Sequence, residues 1–595
     1  MPFTTPDYAE KLPCEIPDSV PIHKFLFGQE DKYGRYPLSS SKSPFTCGIS
    51  GKGYDAAEVA ERIDLLAAAL ATELRFEVNS PELDKVISIF SVNTIDTMTV
   101  SWATHRLNGV SSPISPSYSV TELTRQLKAV KAKALFTCVT LLHTALEAAD
   151  AAGIPQNRVY LLEVPEKVSK GATLPHDILT VDKLIETGRG VEKLPKLEWT
   201  EGQGARQTAF LCSSSGTSGL PKNVQISHRN IIANVMQLAV YESNYRTPGP
   251  QGNLGVLPMS HSYALIVTGH LGVYRGHEVF VLPGFDIHDV VHAISHYKIE
   301  NLWMVPPMIV GMIKAAAIVE KHDLSHVDTV VVGASNLTDE VAAAFTKLMP
   351  NCNFVQGYGL TETAVAVCMQ NRADIMSGSC GSLLPGFEGR LVDRAGGEIT
   401  ALDTAGELLL KSPTVMLGYL DNEQATRESF TEDGWLRTGD LIEFRKSEKG
   451  YEHLFIVDRV KELIKVRGMQ VSPVEVEALL SRHPAVADVT VVPIPNDAAG
   501  ELPIAFIVRA PEAKDQDEND LKDRIHEFAN TELAEFKRLA GGIEFVDALP
   551  KSAAGKTKRG DMKGRARDMY EARRVRPVIL QTFEFDSEDD EDEDE

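Results

Sequence analysis

Apolar positions in this chain come in blocks with two different rhythms. Runs at 86–91, 134–139, 159–163 and 329–333 are rich in aliphatic and β-branched residues, and each is followed by amphipathic or alanine-rich sequence. Strand-like runs alternating with helical patterns predict parallel sheets joined by crossover helices. Residues 395–460 read differently. GELLLKSP, GWLRTGDL and GYEHLFIVDR are short β segments broken by turns, as in a small β-subdomain. A second compact unit begins near Asp458. There VSPVEVEALLSRHP (471–484) has a helical pattern with Pro473 in its first turn. Residues 486–495 and 503–509 read as strands, and 521–539 as a charged helix. The expected fold is α/β. A large N-terminal domain (1–458) stacks mixed and parallel α/β subdomains with the small β-subdomain. A small α+β domain (459–570) and a tail (571–595) follow. No internal repeat is visible.

Composition narrows the class. The 595 residues are 43% hydrophobic and 24% charged, the balance of a globular protein with two or three large cores. No run approaches the roughly 18 apolar residues of a membrane helix. No basic stretch followed by an apolar one marks a secretory leader. The seven cysteines are scattered, without CxxC or zinc spacing, which predicts a reducing compartment and no structural metal. The formal net charge is −23, and ten acidic side chains lie in the last twelve residues. That acidity argues against a nucleic-acid surface, and the terminal run reads as a disordered, solubilising tail. Before it, 556–576 carries nine Lys and Arg residues and reads as a solvated helix face.

Candidate chemistry is densest at 211–230, LCSSSGTSGLPKNVQISHRN. An apolar strand leads into serines, glycines, a proline and a lysine, and a helix opens after them. Glycines let the backbone approach a polyanion, hydroxyls donate hydrogen bonds, and Lys222 supplies a point charge, so the string suits a triphosphate. It is not the Walker A spacing, so a P-loop nucleotidase is not supported, and it is not GxSxG, so Ser218 is not a nucleophile elbow.

This string resembles the phosphate loop of the adenylate-forming superfamily: acyl- and aryl-CoA synthetases, 4-coumarate–CoA ligases, beetle luciferases and peptide-synthetase adenylation domains. Ser214, Ser215, Gly216, Thr217, Ser218, Gly219, Pro221 and Lys222 match the family pattern, whereas Asn223 stands where glycine is usual. Further strings follow in family order. LPMSHSYAL (257–265) places His261 at the family histidine. VVVGASNL (330–337) resembles the loop beside adenine, with serine and asparagine departing from the usual alanine and proline. QGYGLTET (356–363), GWLRTGDL (434–441), DRVKELIKVRGMQVSPVEVE (458–477) and EFKRLAGGIEFVDALPKSAAGKTKRG (535–560) complete the series. The resemblance covers roughly 50–565 and looks closest to 4-coumarate–CoA ligase-like enzymes.

The resemblance implies ATP, Mg²⁺ and coenzyme A as reactants and cofactors. It implies an acyl-adenylate intermediate and a C-terminal domain that rotates at 458–461 about Lys461. The implied nucleotide contacts are the phosphate-loop residues, Gly333, Ala334, Ser335, Gln356, Gly357, Tyr358 (stacked on adenine), Gly359, Thr361, Asp440 and Arg459 (both on ribose), and Lys556. His261, Thr361, Glu362 and Lys556 are the implied catalytic set, with Glu362 and Thr217 on magnesium. Lys465, Arg467 and Gly468 belong to the thiol step. The implied acid pocket comprises Tyr263, Val267, Gly333, Ala334, Gly357, Gly359, Leu360 and Val365. That lining is small and apolar, which suits an aromatic or medium-chain acid. A carrier-protein phosphopantetheine thiol stands as the alternative acceptor. A luciferase-like oxidase and a catalytically dead scaffold are the remaining readings. A monomer or homodimer in the cytoplasm is expected, because no Ser-Lys-Leu ends the chain.

Overall fold

A computed structural model describes residues 2–28, 33–172, 175, 177–214, 221–243, 246–334, 337, 339–393, 395–459, 464–471, 473–550, 557 and 559–575. Among these residues the strands form four sheets, of seven, nine, six and five strands. The expected strand runs appear as Val86–Phe90, Ala134–Cys138, Val159–Leu162 and Thr329–Val332. The first three lie in the seven-stranded sheet with Val110–Ile114 and Thr208–Ser214, all pairing in parallel. Each of Val86–Phe90, Val110–Ile114 and Ala134–Cys138 is buried along its whole length, as helices on both faces require. The nine-stranded sheet has the parallel core Glu278–Val281, Gly252–Gly255, Asn301–Met304, Thr329–Val332 and Asn353–Leu360.

The region 388–459 forms an antiparallel meander, Glu388–Val392, Gly406–Lys411, Leu436–Lys446 and Glu452–Arg459. Its edge is completed by the N-terminal strand Phe3–Thr4, a partner no local pattern announces. Helix starts follow local chemistry. Asp55 with Glu58, Ser119 with Glu122 and Ser227 with Asn230 form reciprocal caps at three N-termini.

The C-terminal five-stranded sheet combines Ile464–Val466, Met469–Val471, Val486–Asn496, Gly500–Arg509 and Gly542–Phe545 around its own apolar cluster. Three expectations are corrected here. The helix expected over 471–484 is Pro473–Leu480, because Met469–Val471 pairs as a strand with Ile464–Val466. The helix expected over 521–539 is Glu518–Glu532. Beyond it Leu533 is extended, and a 3₁₀ turn at Glu535–Lys537 carries Lys537 inward. A helix spans Arg559–Val575, past the boundary drawn at 570. Among the described residues no helix is long and apolar enough to cross a membrane.

Four histidines sit together in the core of the large unit. His105 donates from Nε2 to the Ala209 carbonyl (2.9 Å), and the His105 and His228 rings are 4.8 Å apart. His270 accepts from Trp102 Nε1 at 3.3 Å and faces the Leu265 carbonyl through Nδ1 at 2.6 Å. Burial drives His105 down to about 3 and His270 to about 4, and holds His23 and His228 well below the usual 6.5. These rings are neutral in the folded chain but take protons once unfolded. Their stabilisation is present above about pH 6.5 and is lost as pH falls toward 4. A thermal scan should show the melting midpoint falling across that window, with a shallower fall in His105→Gln. A slope unchanged in that variant would contradict the neutral cluster.

Candidate active site

The phosphate string is framed by an antiparallel pair, Thr208–Ser214 with Lys222–Ser227, whose register sets Ser214 opposite Lys222. Both ends of the string are therefore held side by side. Lys222 Nζ lies 4.8 Å over the Tyr419 ring, and the Tyr419 hydroxyl donates to Glu362 Oε1 at 2.9 Å. Tyr419 belongs to Gly418–Tyr419, a two-residue strand added to the seven-stranded sheet against Val224 and Gln225. This aromatic joins the phosphate string to the QGYGLTET string. Asn223, the departure from the family glycine, is buried and accepts from Gln126 Nε2 at 2.6 Å.

The QGYGLTET string runs out of Asn353–Leu360 into a 3₁₀ turn, Thr361–Thr363. Thr363 Oγ1 bonds back to the Leu360 carbonyl (3.0 Å) and to that of Val365 (3.1 Å). These bonds help hold Ala364 and Val365 at φ of 51° and 112°. A β-branched residue at such a φ is strained, and strain of that kind concentrates at working sites. Thr361 Oγ1 lies 3.3 Å from Ser262 Oγ. The Tyr358 hydroxyl donates to buried Asp440 Oδ2 at 2.7 Å, tying the nine-stranded sheet to the antiparallel one. Asp440 is also the strand partner of Arg459.

Two cavities adjoin this cluster. One is lined by Tyr263, Val267, Gly333, Ala334, Gly357, Gly359, Leu360 and Val365, all eight of the pocket residues named from the sequence. It also takes in Leu238, Trp303, Met369 and Cys380, which no motif marked, together with Val331 and Lys465. The other, of about 420 Å³, lies between Pro258, Val305 and Met308 of the large unit and Arg467, Gly468 and Met469 of the small one. His261, Tyr263 and Ala334 line both, so the cavities meet at these three residues. Burial lowers His261 to about 4, so its imidazole is neutral near pH 7; Nδ1 accepts from the Tyr263 N–H at 3.2 Å. Arg467 and Gly468, at φ of 51° and 78°, make the two-residue turn between Ile464–Val466 and Met469–Val471. Positive φ at both positions is what a type I′ hairpin turn demands. A Cβ placed on Gly468 would meet Val305 at 3.4 Å, so the turn rests against the large unit.

Residues 46–420 match the AMP-binding enzyme family, and 475–556 match the AMP-binding enzyme C-terminal domain. The chain belongs to the AMP-binding enzymes. It is 39% identical over 565 residues to acyl-CoA ligase easD of Emericella nidulans, covering 95% of this chain and 100% of that one. It is 37% identical over 574 residues to acyl-CoA ligase cm3C of Cordyceps militaris, covering 93% and 89%. Its fold matches amide bond synthetase McbA of Marinactinospora thermotolerans with a TM-score of 0.72 at 22% identity, over 92% of this chain and 99% of that one. The adenylate-forming resemblance and the two-part α/β architecture read from the sequence therefore hold.

Within this AMP-binding enzyme the described site residues converge from distant stretches. Gln356, Tyr358, Thr361, Gly333 and His261 line the first cavity, and Lys222 and Glu362 meet through Tyr419. Ser215, Gly216, Thr217, Ser218, Gly219, Ser335, Lys461 and Lys556 lie outside the described residues, as does the side chain of Arg459. Among the described residues no three His, Cys, Asp or Glu side chains gather as a metal cage. Glu362 instead offers a single oriented carboxylate. That fits Mg²⁺, which is usually held by one or two carboxylates plus substrate phosphates.

Gly359 tests the tightness of the turn. A Cβ there would stand 1.7 Å from the Val365 carbonyl oxygen, which is fixed backbone. Gly359→Ala should destabilise by about 1–3 kcal/mol or more and lower the melting midpoint by several degrees. An unchanged midpoint would show that the turn is looser than described.

Proposed function

We propose that this enzyme is an AMP-forming acid–thiol ligase that activates an apolar carboxylic acid with ATP and transfers the acyl group to coenzyme A. The observation that carries the reading is the meeting of two cavities at His261, Tyr263 and Ala334. One reaction centre is thus reached from two sides, as an acid and a thiol require. The names of the relatives easD and cm3C support coenzyme A as the acceptor.

In the first step a carboxylate oxygen of the acid bonds to the α-phosphorus of ATP, and the bond to pyrophosphate breaks. Negative charge rises on phosphoryl oxygens, where preorganised cations and donors are worth most. Lys222 and the phosphate string cradle the polyanion. Thr361 donates near the α-phosphate, and Glu362 and Thr217 would hold Mg²⁺, which would supply Lewis-acid stabilisation. Tyr358 packs on adenine, Asp440 and Arg459 orient the ribose, and Lys556 reaches the reacting oxygens. In the second step the thiol sulfur attacks the acyl carbon, AMP leaves with the bonding electron pair, and the thiol proton goes to solvent. A neutral His261 at the junction admits a carboxylate without fixing it as an ion pair. Cys380 lines the acid cavity, but burial pushes its thiol up to about 12, so it is no thiolate near pH 7 and the acceptor thiol comes from outside.

The described arrangement, with the Arg467–Gly468 turn against Val305, suits the thiol step. Rotation about 458–461, with Lys461 absorbing the dihedral change, then brings Lys556 in for the first step. Lys556→Ala should lower acid-dependent ATP–pyrophosphate exchange by about 10²–10³ while sparing thioester formation from preformed acyl-adenylate. Equal loss of both halves would refute the division. In the wild type, a panel of acids assayed by pyrophosphate release, then free coenzyme A against a phosphopantetheinylated carrier protein, tests the whole reading. No pyrophosphate with any acid would sink it, and transfer to the carrier alone would replace the acceptor.

The acid itself is proposed to be aromatic or medium-chain, because Tyr263, Leu238, Trp303, Val331 and Met369 wall the cavity. Trp303 packs edge-on to Tyr263, with ring centroids 6.3 Å apart. Trp303 and Val331 also line a smaller polar cavity beside Glu242, Arg246 and Arg372. Trp303→Ala should move preference toward bulkier acids by tenfold or more in relative kcat/KM, since even one methylene of pocket contact is worth about 1–3 kcal/mol and an indole is far larger. An unchanged acid profile would place the acyl group elsewhere.

A further inference from the structure

The thiol-side cavity takes its lining from both units, and one buried lysine bridges the units beside it. Ser115, Pro116 and Ser117 of the large unit face Glu535, Phe536 and Arg538 of the small one across it. Between Phe536 and Arg538 sits Lys537, only 3% exposed. Its Nζ lies 3.0 Å from Glu122 Oε1 of the large unit and 3.0 Å from Glu475 Oε1 of the small unit. The Tyr118 ring lies beneath it, with Nζ 5.1 Å from the centroid. Burial works against its charge, yet Tyr118, Glu475 and Glu122 hold the ammonium well above the usual lysine value.

Glu122 is buried as deeply, and its other oxygen is committed to the chain that builds the facing wall. Oε2 accepts from both the N–H and the hydroxyl of Ser119, at 3.0 Å each. Ser119 Oγ also lies 3.3 Å from the Glu532 carbonyl of the small unit. The loop that lines the cavity at 115–117 therefore ends on the helix cap that Glu122, the partner of Lys537, completes. Arg125 Nη2 stands 3.7 Å from Glu475 Oε1, so the two buried carboxylates face two cations. Breaking a buried pair by removing one partner costs far more than the pair contributes, because a desolvated charge is left behind.

We propose that Lys537 is a positioning residue for the thiol step: seated between Glu122 and Glu475, it holds the 535–538 wall against the 115–117 wall and keeps the channel to His261 in shape. It is not among the residues that line either cavity. This rests on the ligase reading, and it adds that the second half-reaction depends on an ion pair that the first does not use. Lys537→Met keeps an unbranched side chain, one atom shorter, and removes the charge. Lys537→Arg keeps the charge. Glu122→Gln keeps the acceptor for Ser119 and removes the partner charge.

The experiment uses the full chain and two readouts: acid-dependent ATP–pyrophosphate exchange, and single-turnover thioester formation from preformed acyl-adenylate with coenzyme A varied. In Lys537→Met, exchange should be equal to wild type or raised. The kcat/KM for coenzyme A should fall at least tenfold, mainly through KM. Glu122→Gln should shift the same way, and Lys537→Arg should recover most of the loss. If Lys537→Met does not fold, the transfer rate of Glu122→Gln decides by itself. Equal loss of both half-reactions, or transfer unchanged in Lys537→Met and Glu122→Gln, overturns the proposal. Absence of pyrophosphate exchange in the wild type would instead refute the ligase reading beneath it.

Discussion

Parallel strands buried on both faces have no free surface along their length, so their chemistry is confined to their ends. The site follows that constraint residue by residue. Ser214 ends one strand of the seven-stranded sheet. In the nine-stranded sheet, Val305 follows Asn301–Met304, Gly333 follows Thr329–Val332, and Thr361 with Glu362 follows Asn353–Leu360. Carboxyl ends of parallel strands are where open α/β sheets bind ligands. Here two sheets bring theirs together, and Tyr419 closes the gap by hydrogen-bonding Glu362 beneath Lys222.

The antiparallel parts contribute what parallel sheets lack. A hairpin carries a side chain out on a narrow tip, and the Arg467–Gly468 turn uses that to line the cavity between the two units. The 388–459 meander supplies Asp440, fixed by Tyr358 across the sheet boundary. Asp440 is thus brought into a largely apolar setting together with a partner. His261 is the contrasting case, kept neutral by burial at the junction of the cavities. The Lys537 trio obeys the same rule at the boundary between the units.

Motif strings carried much of the site, because they encode local demands. A phosphate cradle needs glycines and hydroxyls at close spacing, and a left-handed hairpin turn needs a residue such as Gly468. That Tyr263, Val267 and Val365 share a cavity was legible for the same reason, since each stands within or beside such a string. Trp303, Leu238 and Met369 were not. Each looks like ordinary core in its own element: Trp303 lies on a parallel strand, Leu238 on the helix His228–Tyr241 and Met369 on an antiparallel strand, and only their packing together lines one cavity. Tyr419 and Gln126 were equally silent, because their partners Glu362 and Asn223 lie 57 and 97 residues away.

The sequence by itself determined the alternation that makes parallel sheets, the order of the phosphate-handling strings and the presence of a second small unit. Periodicity, turn chemistry and short-range hydrogen bonding decide these over a few residues. Tertiary structure alone decided that Phe3–Thr4 completes the sheet of 388–459, that the charged helix stops at Glu532, and that Lys537 turns inward. Apolar spacing continues past Glu532 in the sequence. Past the helix the chain seats one ammonium between Glu122 and Glu475, residues 415 and 62 positions away that only the folded chain brings to it.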